Sequence, residues 1–157
     1  MKTILVSALY FLLLSNSSLS IRVKGKGYEG YIFDSSYNIG FTFPSQKTRY
    51  TLTPENVSQV EKIITEKIKT LNKERINQGN ECPIIDKNLR KYKRQYVGFT
   101  NIKEEVVVWA NFVWKNSHKD QLDKEIIYGS DGCSHFWNVK VNITTQELFD
   151  LQINGRA

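Results

Sequence analysis

The chain has 157 residues, of which 40% are hydrophobic and 24% are charged, as is typical of one globular domain. This composition excludes a disordered tail and a repetitive fibre, and two cysteines are too few for a disulfide-dense mini-protein. Lys and Arg number 22 against 16 Asp and Glu, so the formal net charge is +6. No nucleic-acid-binding motif accompanies this charge, so we expect no nucleic-acid partner.

The N-terminus has the pattern of a secretory signal peptide. Lys2 precedes an apolar stretch at residues 4–14, and a small polar segment follows, with Ser18 and Ser20 suited to the positions before a signal-peptidase cut. The apolar stretch is too short for a hydrocarbon core of about 30 Å, which needs roughly 20 residues. We therefore predict a signal peptide at residues 1–20, one domain at residues 21–157 and export to the periplasm or the medium. No transmembrane segment is expected after cleavage.

The segment that follows, residues 22–49, is rich in Gly and Tyr and is typical of loops and short extended pieces. The strongest strand patterns within it are residues 28–33 and residues 39–43. The turn-forming residues 34–36 separate these two predicted strands.

A helix is predicted to begin at Thr53. Thr53 can cap free amides, Pro54 suits the first helical position, and Glu55 interacts favourably with the positive end of the helix dipole. The apolar pattern predicts an amphipathic helix that ends near Asn77, before Gly79. The residues that recur at three- and four-residue steps are Val57, Val60, Ile64, Ile68 and Leu71.

After Pro83 the apolar period changes from about 3.6 residues to about 2. Further strands are predicted at residues 91–100, 106–115, 125–129, 134–143 and 148–153. One helix followed by a run of antiparallel strands predicts an α+β fold. We expect one amphipathic helix packed on a curved antiparallel sheet of four to five strands.

Alternation along the predicted strands separates two apolar faces. Val108 and Phe112 share one stripe, whereas Trp109 lies on the other. One face must meet the helix, so the second carries aromatic side chains towards the N-terminal strands, solvent or a partner. A contiguous exposed patch of such side chains would be a binding surface.

The two cysteines, Cys82 and Cys133, form an even pair in a chain that we expect to be exported. A disulfide would close a long loop and stabilise the fold. The predicted strands, however, place Cys133 at the far end of the sheet from the strand that Cys82 precedes, so a disulfide and two free thiols stay open as alternatives. No His or further Cys lies at metal-ligand spacing, so we expect no metal and no cofactor.

Three segments together resemble a group of small exported bacterial proteins of unknown function: residues 92–99, residues 131–139 and residues 150–157. In that group a basic-Gln-Tyr-Val-Gly strand is followed by an Asp-Gly-Gly turn and an Asn-Gly-x-Ala terminus, and Cys133 stands here in place of the second glycine. A looser resemblance is to the cystatin-like and nuclear-transport-factor-like rolls, in which a sheet embraces one helix. The resemblance implies a cystatin-like roll and no particular activity.

The candidate binding residues come from the same segments. One wall of a concave site could be lined by Arg94, Gln95, Tyr96 and Trp137. Alternatively, Arg94 only neutralises Asp150 or the C-terminus across the sheet. His135 near Asp131 could form an acid/base pair, although a half-buried structural histidine suits the pattern better. The residues singled out are Arg94, Gln95, Tyr96, Trp109, Asp131, His135 and Trp137.

Together these observations favour an exported binding or interaction module rather than an enzyme. Its partner is expected to be an unknown protein or envelope component. The first alternative is a roll-type enzyme that uses Asp131 and His135 in a hydrophobic pocket. The second is a protease inhibitor, because residues 95–98 are similar to the Gln-x-Val-x-Gly loop of cystatins, although one residue shorter.

Overall fold

The computed structural model describes residues 20–156. The predicted signal peptide therefore lies outside the described residues, except for Ser20. The two helices within this range are α1 (Pro54–Leu71) and the short α2 (Ile85–Asn88). The strands are β1 (Ile21–Gly25), β2 (Tyr28–Phe33), β3 (Gln46–Tyr50), β4 (Tyr92–Asn101), β5 (Val106–Trp114), β6 (Phe136–Asn142) and β7 (Glu147–Ile153).

The fold is α+β, with one mixed sheet in the order β1-β2-β4-β5-β6-β7. β4 is the centre of its organisation, because β2 runs parallel to its first half and β3 pairs antiparallel with its second half. The other neighbours are antiparallel. The expected count of four to five strands is therefore wrong, as is a purely antiparallel sheet: residues 20–156 contain seven strands.

The difference arises in the N-terminal segment and in one loop. β3 is polar and partly exposed, so it lacks the apolar alternation by which strands are predicted, and β1 alternates only two apolar residues, Ile21 and Val23, over five positions. Conversely, residues 39–43 and residues 125–129 are not strands; they are irregular segments. Their apolar side chains pack on the outer face of the sheet without joining its ladder.

Helix α1 begins as predicted. The Thr53 hydroxyl accepts a hydrogen bond from the Asn56 amide at 3.3 Å, and the Asn56 side chain accepts one from the Thr53 amide at 3.0 Å, which completes a capping box. The helix ends at Leu71, earlier than the predicted Asn77. The Asn72 side chain donates a hydrogen bond to Asp86 and accepts one from Gln78. These contacts hold the segment that leaves the helix against α2.

The sheet has an apolar cluster on each face. The larger inner cluster packs α1 against β4, β5, β6 and β7. A smaller outer cluster contains Phe33, Phe43, Val97, Phe99, Val107 and Trp109. Both faces of the central strands are therefore covered, which explains why neither stripe of β5 is polar.

Cys82 and Cys133 form a disulfide, with their Cα atoms 6.1 Å apart. The argument that placed them at opposite ends of the sheet is wrong. β4 and β6 both pair antiparallel with β5, so they run in the same direction and begin at the same end of the sheet. The Ser134 hydroxyl also donates a hydrogen bond to the Pro83 carbonyl at 2.6 Å, which holds the two segments together.

We predict that the double substitution Cys82→Ser and Cys133→Ser lowers the free energy of unfolding by about 2–5 kcal/mol, because the disulfide closes a loop across a sequence separation of 51 residues. Urea denaturation with and without reductant measures the effect. Reductant should destabilise the wild-type protein to the same extent and leave the double variant unchanged. A wild-type protein that is insensitive to reductant would contradict the prediction.

Candidate functional site

The predicted residue Arg94 is buried on the inner face, where its side chain is 1% exposed. Its Nε and Nη2 atoms each lie 3.3 Å from a carboxylate oxygen of Glu61 on α1, and Nη1 donates to the Tyr92 carbonyl. The guanidinium also lies 5.0 Å from the centre of the Phe112 ring. Arg94 therefore joins the helix to the sheet, and the alternative that it neutralises Asp150 is wrong.

Tyr96 completes this buried network. Its hydroxyl donates a hydrogen bond to Glu61 at 2.9 Å. Burial raises the pKa of Tyr96 well above its ordinary value, and the nearby Glu61 carboxylate raises it further. The hydroxyl therefore stays protonated and serves as a donor. Every polar group of this network has a partner, which is the arrangement of a structural ion pair.

The residues predicted to share one wall lie on two faces of the sheet. Arg94, Tyr96 and Trp137 face the helix, and Trp137 stacks on Phe112 with ring centres 3.7 Å apart. Gln95 points to the opposite face because side chains alternate along a strand. The structure therefore does not bring these four residues into one site.

Gln95 instead anchors a loop on the outer face. Its Nε2 donates to the carbonyls of Leu122 and Glu125 at 3.0 and 2.6 Å, and its Oε1 accepts from the Ile127 amide at 2.9 Å. Asn111 on β5 donates to Gln95 and to the Ile127 carbonyl. Two buried amide side chains thus hold the loop of residues 122–127 against the sheet.

Asp131 and His135 are close in sequence, but within residues 20–156 no hydrogen bond or ion pair joins them. Asp131 is exposed. His135 Nδ1 lies 3.2 Å from the Gly132 carbonyl oxygen, and its ring packs edge-on against Trp114. Cys133 is in the disulfide and supplies no thiol. This geometry is that of a structural histidine beside a turn.

Trp109 lies in the most promising site, a cleft on the outer face of about 310 Å³. Its ring centre is 5.8 Å from each of Phe41 and Phe43, and Tyr128 lies 5.6 Å from Phe41. Trp109 Nε1 donates a hydrogen bond to the Asn138 side chain at 2.9 Å, which fixes the indole. We call this site the aromatic cleft; its aromatic residues are Phe41, Phe43, Trp109 and Tyr128.

Polar side chains from β6 and β7 border the aromatic cleft. Asn138 and Gln152 are cross-strand partners, and Lys140 and Asp150 form an ion pair at 2.6 Å. The register shifts between Asn138 and Lys140, and Asp150 adopts a φ of 52° at this bulge. The bulge aims the carboxylate at Lys140, as β-bulges near binding sites commonly redirect side chains. The Lys140 hydrogen bond is the main cause that lowers the pKa of Asp150.

Compared with known proteins, the chain matches no family model, no curated protein and no solved structure. The resemblance to small exported bacterial proteins therefore stays a prediction. Among the described residues, no helix is both long and apolar enough to cross a membrane, and no group of three or more His, Cys, Asp or Glu side chains could hold a metal ion.

Of the four aromatic residues in the cleft, sequence reasoning identified Trp109 and missed Phe41, Phe43 and Tyr128. All three missed residues lie in irregular segments that were expected to be strands. The available signal was the position of aromatic side chains beside glycines, at Gly40-Phe41 and Tyr128-Gly129. Aromatic residues in exposed loops are enriched at binding surfaces.

We predict that Glu61→Ala lowers the free energy of unfolding by about 3–5 kcal/mol, because it leaves the buried Arg94 guanidinium without its carboxylate. The matched control is Glu66→Ala on the same helix, whose side chain is exposed and which should change stability little. Thermal and urea denaturation measure both variants. Equal effects of the two substitutions would show that Glu61 has no special role.

The Lys140–Asp150 pair predicts a pH dependence. The pKa of Asp150 is lowered from its ordinary value of 3.8, so its stabilisation is fully present above about pH 4 and is lost as pH falls through the lower folded-state pKa. Asp150→Asn should lower stability by about 0.5–1 kcal/mol at pH 7, because the pair is partly exposed. The stability difference between the variant and the wild type should shrink as pH falls through the folded-state pKa of Asp150.

Asn tolerates the positive φ of this position, so the substitution removes the charge and keeps the backbone. Asp120→Asn, at an exposed loop position, is the control for a general change in net charge. A stability difference between Asp150→Asn and the wild type that is the same at pH 7 and pH 2 would contradict the ion-pair explanation.

Proposed function

We propose that the protein is an exported binding module whose ligand lies in the aromatic cleft. The observation that carries this proposal is the set of four aromatic side chains around one cavity on the outer face, bordered by the polar groups of β6 and β7. Ligand sites commonly combine an apolar lining with a few placed polar groups. Tyr128 is 73% exposed and Phe41 is 37% exposed, so both are available to a ligand.

The chemistry of the cleft favours a carbohydrate. Aromatic faces pack against flat, weakly polar surfaces such as the C–H face of a sugar ring. Amide and carboxylate groups of the kind supplied by Asn138, Gln152 and Asp150 accept and donate hydrogen bonds in the plane of the sugar hydroxyls. The carboxylate charge is balanced by Lys140, so the site suits a neutral ligand.

Export is supported by the disulfide between Cys82 and Cys133, since such bonds form and persist in oxidising compartments. The helix packed on one sheet face also supports the looser resemblance to cystatin-like rolls. That resemblance does not choose a ligand, because folds of this kind carry unrelated functions.

The alternatives receive less support. The enzyme hypothesis needs Asp131 and His135 to act together, and their described contacts are separate. The inhibitor hypothesis needs residues 95–98 to contact a protease, whereas these residues are buried within β4.

We predict that the protein binds a member of a panel of neutral oligosaccharides and that Tyr128→Ala weakens this binding by about 3- to 10-fold, because one stacking ring is lost. Phe41→Ala should act in the same direction. Isothermal titration calorimetry on the folded full domain measures the affinity. A glycan array identifies the panel member first.

The control is Ile102→Ala, which removes an apolar side chain of similar exposure, 74%, from the β4–β5 turn. It should leave binding unchanged. The proposal is overturned if no oligosaccharide binds to the wild-type protein, or if the Ile102 and Tyr128 variants lose affinity equally.

A further inference from the structure

A second cavity, of about 280 Å³, lies at the end of the sheet where β1 turns into β2, β4 begins and β5 ends. We call it the cationic recess. Five of its lining residues are cationic and one is acidic. They are Lys24, Arg90, Lys93, Arg94 and Lys115, with Glu29 as the carboxylate.

Two of these positive charges are balanced within the fold. Arg94 is paired with Glu61, and Lys93 is paired with Glu29, which also accepts from Arg22. These hydrogen bonds lower the pKa of Glu29, and the bond from Lys93 is the largest cause. The Glu29 carboxylate is therefore ionised and already paired with Lys93 and Arg22. Glu29 therefore does not neutralise the other cations of the recess.

Three cations are left without a carboxylate. Within residues 20–156, no acidic side chain lies within ion-pair distance of Lys24, Arg90 or Lys115. They come from three separate parts of the chain: β1, the turn before β4 and the residue after β5. Like charges around one cavity repel, and a bound anion would remove that repulsion.

The glycines of the β1–β2 turn help to shape the recess. Gly27 has a φ of 87°, a conformation that favours glycine. A Cβ atom at Gly27 would lie 3.3 Å from Nε of Arg90, so the guanidinium arm rests against the bare backbone of the turn. The turn thus sets the position of Arg90 beside the cavity.

An adjoining groove of about 450 Å³ extends from the recess along helix α1. The two cavities share Gly25, Gly27, Tyr28, Arg90 and Arg94. Beyond the shared residues, the groove adds the cations Lys26 and Lys62 and the carboxylates Glu61 and Glu66, of which Glu61 is already paired with Arg94. Two lysines against one unpaired carboxylate leave the groove with one net positive charge, so a ligand in the recess could continue into it as a chain.

We propose that the cationic recess binds a phosphate or sulfate group of a soluble polyanion. Such a group has several oxygens that can each accept a hydrogen bond, which matches donors that approach from three elements. The site is separate from the aromatic cleft, so this inference is independent of the proposed carbohydrate ligand. Its affinity must fall with added salt, because binding releases counterions.

The test measures binding of long-chain inorganic polyphosphate and of heparin to the full folded domain at several salt concentrations. The variant is the triple substitution Lys24→Gln, Arg90→Gln and Lys115→Gln. We expect its affinity to fall by about tenfold or more, because three charge-assisted contacts are lost. The slope of log affinity against log salt should decrease by about two.

The matched control is the triple substitution Lys103→Gln, Lys119→Gln and Lys124→Gln, which removes the same charge from exposed positions elsewhere. It should retain most of the affinity. Inorganic phosphate should compete only at high concentration if a chain is the ligand. Circular dichroism of both variants checks that the fold is intact.

Equal losses in the recess variant and the control would overturn the proposal in favour of non-specific attraction. Binding to phosphatidylglycerol vesicles but to neither soluble polyanion would also overturn it, since a lipid surface would then be the partner. The recess variant should still bind any ligand of the aromatic cleft, which separates the two proposals.

Discussion

The burial of one cation, Arg94, is the constraint on which the rest of the structure depends. Its guanidinium is buried between helix α1 and the first residues of the central strand β4, where an unpaired charge would be very unfavourable. Glu61 on the helix supplies the opposite charge, and the Tyr96 hydroxyl donates a further hydrogen bond to the Glu61 carboxylate. This network fixes both the rotation of the helix and its position along β4, which apolar contacts alone specify less strictly.

The position of β4 then determines the outer face. One edge of β4 pairs first with β2 and then with β3, and the connection between these two strands, residues 34–45, packs on the outer face of the sheet. That connection carries Phe41 and Phe43 onto Trp109. The aromatic cleft therefore depends on the length of this connection, because a tight hairpin between β2 and β3 would contain no segment that reaches Trp109.

The sequence was sufficient for elements with a clear period. Helix α1 and strands β4 to β7 follow from apolar spacing, and the Thr53-Pro54 start follows from capping chemistry. β1 and β3 could not be predicted in this way because each is only five residues long, β3 is polar and β1 has only two apolar side chains. The disulfide was misjudged because its geometry depends on the direction of the strands. Trp109 was identified without Phe41, Phe43 and Tyr128 because residues in irregular loops have no periodic pattern from which their contacts could be predicted.

The buried amides of Gln95 and Asn111 connect the core to the candidate site. Polar side chains in such positions are tolerated only when they are fully bonded, and both hold the loop that ends near Tyr128. The loop is thereby ordered before any ligand arrives, as Trp109 is by Asn138. A binding surface ordered by the fold loses less conformational entropy on association, so its aromatic contacts contribute more to affinity. Gln95 and Asn111 therefore stabilise the site by holding the loop in place and not by contacting a ligand.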